Sequence, residues 1–154
     1  MRISKQDLQN IFAQAVAEYP GECCGIITKS GKSGELTVHH CENIQNRLHA
    51  EDPVKFPRDA RIAYYIDPQQ LFDIVTGAEK DGGGVFSVFH SHIDCEAYFS
   101  DEDKERAMVW DEPIFPDAVY LVVSVVDRQV KSQKCFAWDA EVADFAEVEL
   151  DVVE

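Results

Sequence analysis

An α/β domain layered around a mixed sheet is what this 154-residue sequence predicts, and three observations predict it. Stretches with one apolar helical face are interleaved with short β-like runs. One of those runs, "VFSVFH", is apolar enough to be covered on both faces. No repeat, low-complexity linker or shift in composition divides the chain, whose length suits a single domain over residues 1–154. With 45% apolar and 28% charged residues it has the ordinary make-up of a chain with a core.

The first element is a helix. Ser4 is placed to cap it, and Leu8, Ile11, Phe12, Ala15, Val16 and Tyr19 recur on one side before Pro20 and Gly21 end it. "CGIITK" and "ELTVHH" then read as a hairpin across the turn-rich "SGKSG". From Cys41 to Pro57 the chain is polar and irregular, long for a connection in a small domain and of the kind that is often functional; "ARIAYYI" resumes as a strand. Asp67 followed by Pro68 is an N-cap with proline at the first helical position, and Gln70 can complete a capping box. A helix is therefore expected from 68 to about 80, where "DGGG" stops it. The buried strand "VFSVFH" follows. "DEDKERAMVW" reads as a short helix, and "AVYLVVSVV" and "VKSQKCFAW" as two strands joined near "DRQ". The acidic end, "DAEVADFAEVELDVVE", reads as an edge strand or a frayed tail.

Acids outnumber bases 29 to 14, for a formal charge of −15. Such a field repels phosphate backbones and anionic lipid surfaces, so nucleic acid and membrane are poor partners. The opening "MRISKQDLQNIF" lacks the layout of a signal peptide, and no apolar run approaches the roughly 18 residues a bilayer span needs, which reads as a cytoplasmic chain. Five cysteines, an odd number with no C-x-x-C pair, fit apolar fillers in a reducing compartment. Adjacent Cys23 and Cys24 in an apolar strand look like core rather than a poised thiolate of a cysteine peptidase.

The chemistry concentrates in "HSHIDCEAYFSDED", residues 90–103. His90 and His92 end the apolar strand, and a period of two turns both to one face, roughly 6.6 Å apart along the backbone, where two imidazoles can share one ion. An open catalytic zinc site takes three protein ligands, with Zn–N bonds of about 2.0–2.1 Å. Asp103 is the third candidate: Ser100 can cap a helix beginning near 101, and the intervening loop can fold its first turn back toward the strand end. Ser100-x-x-Asp103 is equally a plain capping box, and an H-x-H alone is a weak signal. Together, same-face histidines followed by a capped acid are hard to obtain from packing, since histidine is not a favoured strand-end filler.

Hydrolysis at such a site also needs a base that does not ligate the ion. Glu22, in "YPGECCGIIT", stands between a helix end and an apolar strand, where a carboxylate can project from the rim of the sheet; in isolation it is an ordinary turn acid. His39, His40 and Cys41 form another cluster at a strand end, read as packing or surface for want of a second ligand pair.

His90-Ser91-His92, seven residues, Ser100, two residues and Asp103 resemble the motif of the JAMM/MPN zinc metalloproteases, and Glu22 ahead of Cys24-Gly25 resembles that family's upstream glutamate. The likeness runs through nearly the whole chain and is that of small stand-alone bacterial members. It implies a three-layer α/β/α fold like that of cytidine deaminase. It also implies one Zn2+ per chain held by His90, His92, Asp103 and water, with Glu22 as general acid and base and Ser100 helping to hold the oxyanion. The implied activity is a zinc-dependent peptidase or isopeptidase that cuts after the C-terminal Gly-Gly tail of a ubiquitin-like or sulfur-carrier protein, by Glu-assisted attack of metal-activated water. The alternative is a non-catalytic MPN-type binding or assembly module, since related domains also begin phage tail-assembly proteins.

One departure from the family pattern is Ile93, where many relatives have proline, followed by Asp94, Cys95 and Glu96; Cys95 reads as a loop thiol rather than a fourth ligand. The combined H-x-E and P-C-x-x-C signature of a zinc nucleobase deaminase is absent. For so acidic a protein to receive an acidic carrier, Lys55, Arg58 and Arg61 would have to gather into a positive patch.

Overall fold

In the computed structural model, which describes residues 1–154, fourteen elements follow one another: β1 (Arg2–Ser4), α1 (Lys5–Glu18), β2 (Cys24–Lys29), β3 (Leu36–Cys41), α2 (Gln45–Glu51), α3 (Pro68–Glu79), β4 (Gly84–Ile93), α4 (Asp101–Ala107), β5 (Met108–Val109), β6 (Glu112–Pro113), β7 (Val119–Val126), β8 (Gln129–Asp139), β9 (Asp144–Val148) and β10 (Asp151–Val153). Six strands form one mixed sheet in the order β3-β2-β4-β7-β8-β9, in which only β4 and β7 run parallel. Helix α1 packs on one face and α3 on the other, which gives the three-layer α/β arrangement. No helix is long and apolar enough to cross a membrane.

Helix α1 forms as its pattern predicts. The Ser4 hydroxyl accepts the Asp7 amide at 3.0 Å, and Leu8, Ile11 and Ala15 pack on Ile27, Phe89, Leu121 and Val123 of the sheet. Burying a side chain such as Leu8 or Ile11 contributes about 1.5–3 kcal/mol each. Gly25 lies beneath Phe89: a Cβ there would come within 2.1 Å of the phenyl ring and 2.4 Å of the His39 carbonyl oxygen, so this position needs a residue without a side chain. On the opposite face Phe99 stacks on Phe136 and meets Phe145 edge-on, with centroids 5.4 and 4.9 Å apart.

Strand β4 is central, as its apolar run predicts, and continues through both histidines to Ile93. His90 pairs with Cys24 on one side and Val122 on the other, and His92 pairs with Ser124. Alternation then sends Phe89 toward α1 and His90 and His92 to the other face. The turn joining β7 to β8 places both Asp127 and Arg128 at positive φ, 49° and 61°, as a two-residue hairpin connection requires.

Four expectations are corrected. "ARIAYYI" is not a strand: only Ile66 makes an isolated bridge, with Asn43. Its backbone groups are taken instead by a side chain, because Asn43 Nδ2 donates to the Ala63 carbonyl (3.1 Å) and Asn43 Oδ1 accepts from the Tyr65 amide (3.0 Å). The segment expected to be irregular throughout contains α2, whose first turn is started by the same Asn43 Oδ1 accepting from the Gln45 amide at 3.0 Å. Gln70 does not complete a capping box; Asp67 alone caps α3, and the Gln70 side chain accepts the Glu42 amide. Finally, α4 stops at Ala107, and Met108 and Val109, expected within it, form the first strand of the small ribbon β5–β6. The acidic end, expected as an edge strand or a frayed tail, supplies two strands. Of those, β9 edges the main sheet and β10 pairs in parallel with β1.

Candidate metal centre

Strand β4 presents His90 and His92 from a fixed ladder, and α4 brings the third group. A full capping box forms its first turn: Ser100 Oγ accepts the Asp103 amide at 3.1 Å, and the Ser100 amide donates to Asp103 Oδ2 at 2.9 Å. The cap turns the Asp103 carboxylate toward the sheet, so the capping and ligand readings of this pair hold together. His90 Nε2 lies 3.2 Å from Asp103 Oδ1, His92 Nε2 3.2 Å from Asp103 Oδ2, and the two Nε2 atoms 3.2 Å from each other. All three residues are buried.

These separations fit a metal. Donors bound tetrahedrally at about 2.0–2.1 Å are separated by about 3.3 Å along each edge; the two Nε2 atoms meet that spacing with each other, and each meets it with one oxygen of the Asp103 carboxylate, Oδ1 for His90 and Oδ2 for His92. The outer nitrogen of His92 agrees. His92 Nδ1 donates to the Glu96 carbonyl at 3.1 Å, which leaves Nε2 as the lone-pair nitrogen of the neutral ring. His90 stacks on Tyr64, centroids 4.5 Å apart, and its Nδ1 is buried without a partner, so Nε2 is its one engaged nitrogen. Burial alone would raise the Asp103 carboxyl, but the charge of His90 and the hydrogen bonds from His90, His92 and the Ser100 amide outweigh it and hold the group well below the usual carboxylate range. Anionic oxygen beside two imidazole nitrogens is a donor set suited to zinc.

Glu22 completes the cluster. It is 5% exposed and lines, with His92, Ser100 and Asp103, a cavity of about 130 Å³. Burial above all, and then the charges of Asp103 and Glu102, push its carboxyl up to about 9, with Arg106 and Arg58 pulling the other way. The structure thus brings Glu22, His90, His92, Ser100 and Asp103 to one place.

Two positioning residues escape sequence reasoning. Ser91, between the histidines, is fully buried and bonded to Cys23, the neighbour of Glu22. Asn43 donates to the Glu22 carbonyl at 2.9 Å while holding the 63–65 segment. A buried serine within an H-x-H and an asparagine in a polar loop were the available signals, and neither states its partner.

The other candidates stay apart. His39 meets Thr28 at 2.9 Å, His40 meets Gln14, and Cys41 is buried in the core. Cys95 is exposed at the cavity mouth and is not in the three-residue ligand cluster. Arg58 and Arg61 line the cavity, but Lys55 lies over the Phe56 ring and its place is taken by Arg106. Ile93 leads into Asp94 at a φ of 53°, and that carboxylate accepts the Tyr19 hydroxyl at 2.8 Å and the Asp127 amide at 3.0 Å. Side-chain bonds therefore tie down the loop that follows Ile93.

Two strand-borne histidines, a helix-borne aspartate and a buried glutamate around one cavity define an α/β protein with a candidate catalytic metal site. The chain belongs to the prokaryotic homologs of the JAB domain, the family that matches residues 4–141. Over 110 residues it is 30% identical to the protein named Desampylase from Haloferax volcanii, covering 71% of this chain and 67% of that one. It is 28% identical over 102 residues to Tail tip assembly protein K of Escherichia phage N15, covering 66% of this chain and 34% of the phage protein. The solved structure of a JAB1/MPN domain protein from Archaeoglobus fulgidus shares the fold with a TM-score of 0.54 at 19% identity, each chain covered over 100% of its length.

Proposed function

We propose that this single-domain protein is a zinc-dependent peptidase or isopeptidase that hydrolyses the bond after the C-terminal Gly-Gly tail of a ubiquitin-like or sulfur-carrier protein, in a reducing compartment such as the cytoplasm. The observation that carries the reading is the convergence of His90 Nε2, His92 Nε2 and the Asp103 carboxylate, whose two oxygens each lie 3.2 Å from one imidazole, with Glu22 buried at the same cavity. The relative named Desampylase and five unpaired cysteines support it.

His90, His92 and Asp103 would hold the ion. When bound, zinc supplies a Lewis acid and brings the pKa of a water down to about 7. In the metal-free protein burial and the Asp103 charge keep Glu22 protonated; the positive charge of the ion would offset that, and the carboxylate would then take the proton of the attacking water and return it to the leaving amine. The Ser100 hydroxyl accepts the Asp103 amide and keeps its own proton free to donate to the developing oxyanion, a contact worth about 2.7–4 kcal/mol in comparable sites. Glu96 fixes the ring of His92 through its carbonyl, and Asn43 and Ser91 fix the backbone that carries Glu22. A glycine tail suits the site because main-chain hydrogen bonds can bind it where side chains would clash.

The test is incubation of zinc-loaded protein with carriers extended beyond Gly-Gly, read by intact mass. The match to a phage tail-tip assembly protein favours one second reading, a non-catalytic assembly module. Uncut carriers across a broad panel, with zinc confirmed bound, would select it.

A further inference from the structure

Three guanidiniums line the candidate metal centre of a chain whose net charge is −15. Arg58 and Arg61 come from the irregular segment before α3, and Arg106 from α4. Glu102 is shared between two of them, with Arg58 Nη1 donating to Oε2 at 2.8 Å and Arg106 Nη2 to Oε1 at 3.1 Å. Arg61 is held by Asp59 Oδ2 through Nε and Nη2, at 3.1 and 2.8 Å. A guanidinium has five N–H donors, so these bonds fix the three groups in place without exhausting them, and one shared carboxylate leaves the Arg58–Arg106 pair with surplus positive charge. Of the other acids nearby, Asp103 is hydrogen-bonded by the imidazoles, Asp94 by Tyr19 and Asp59 by Arg61, and Glu22 is buried against the same wall.

At about 130 Å³ the cavity is smaller than the roughly 300–1,000 Å³ of small-molecule sites and matches part of a single residue. On the proposed function, on which this inference rests, both residues before the cut are glycines. The first functional group that the arginines can meet therefore belongs to the residue released. We infer that Arg58, Arg61 and Arg106 select a carboxylate on the leaving residue, either the free α-carboxylate of a one-residue extension or the side chain of Asp or Glu. The hydrolysis is otherwise unchanged: the C–N bond breaks, water's oxygen joins the glycine carbonyl carbon, and a proton goes to the departing amine. An isopeptide-linked lysine offers no such carboxylate, so the arginines favour trimming of a short peptide extension.

The experiment uses the zinc-loaded full chain and a sulfur-carrier protein whose Gly-Gly tail is extended in four ways. Two arms carry one alanine, as the free acid or as the amide; two carry Glu-Ala-amide or Gln-Ala-amide. The expected result is a kcat/KM about tenfold or more higher for an acid-bearing arm than for its neutral twin, the factor of a charge-assisted hydrogen bond. That ratio should fall toward one in Arg58→Gln and in Arg61→Gln, and also as salt is raised. Preference confined to the free acid identifies the α-carboxylate as the source, and preference confined to Glu over Gln the side chain. Cleavage of charged and neutral arms at equal kcat/KM overturns the inference and leaves the peptidase standing. No cleavage in any arm, with zinc confirmed bound, removes the peptidase reading and this inference with it. Should Arg58→Gln fail to fold for loss of its Glu102 contact, Arg61→Gln and the four-arm comparison decide.

Discussion

Ser91 and Cys23 exchange two hydrogen bonds across the sheet: the Ser91 hydroxyl accepts the Cys23 amide at 2.7 Å, and the Cys23 carbonyl accepts the Ser91 amide at 3.1 Å. Both residues are fully buried. The residue between the two candidate ligands is therefore fastened to the residue after the candidate base. Ser91→Ala leaves the Cys23 amide without its acceptor, at a cost of about 1–3 kcal/mol. A fall in Tm of several degrees is expected in calorimetry, with cleavage reduced more than zinc content; an unchanged Tm would show the bond to be dispensable.

Glu22→Gln should retain one zinc per chain, counted by native mass spectrometry, while carrier cleavage drops by about 10²–10⁴-fold, the range of a general acid–base group. Loss of zinc together with activity would place Glu22 among the ligands instead.

Burial of Glu22 also has a signature in metal-free protein. The folded state keeps the proton up to about pH 9, whereas the ordinary value is 4.5. Above 4.5 the unfolded chain releases the proton first, so this group makes folding less favourable as pH rises, by up to about 1.4 kcal/mol per unit until the folded value is passed. In urea titrations with chelator, Glu22→Gln should equal the parent near pH 4.5 and exceed it increasingly toward pH 8. Parallel stability curves for the two proteins would contradict the burial.

Ser100→Gly separates capping from chemistry. Glycine at an N-cap costs only a few tenths of a kcal/mol relative to serine, so stability should change little. Loss of the hydroxyl at a developing oxyanion should still lower kcat by about 10²–10³-fold. Equal, small effects on both would confine Ser100 to its cap.

Asn43 uses its whole side-chain amide, donating to Glu22 and Ala63 and accepting from Gln45 and Tyr65. Asn43→Asp keeps the size and loses both donations, so destabilisation of about 2–3 kcal/mol is expected. Addition of zinc should recover only part of it. A variant as stable as the parent would mean that the 63–65 segment finds its own partners.

That asparagine also explains where the sequence misleads. "ARIAYYI" has the composition of a strand, but its backbone is held by scattered partners, the side chains of Asn43 and Asn46 and the amides of Glu22 and Ile44, a relationship that no local pattern records. The pairing of β1 with β10 joins the two ends of the chain and is equally invisible locally. By contrast, α1, the β7–β8 hairpin and the spacing of His90, His92, Ser100 and Asp103 are readable, because each is governed by a period of 3.6 or 2 or by a three-residue cap. Arg106 reaches the cavity lining from α4 with its guanidinium 5.0 Å from the centre of the Tyr65 ring, a long-range contact that the local pattern does not record.

The three donor groups are mounted on supports of unequal stiffness. The imidazoles ride a ten-residue strand laced on both sides, whereas the carboxylate is carried by a seven-residue helix whose first turn is secured by one serine. Thermal opening is easier at such a helix than in the middle of a sheet. Fraying of α4 would withdraw Asp103 while His90 and His92 stay in place, so the three groups would come apart at the helix rather than at the strand.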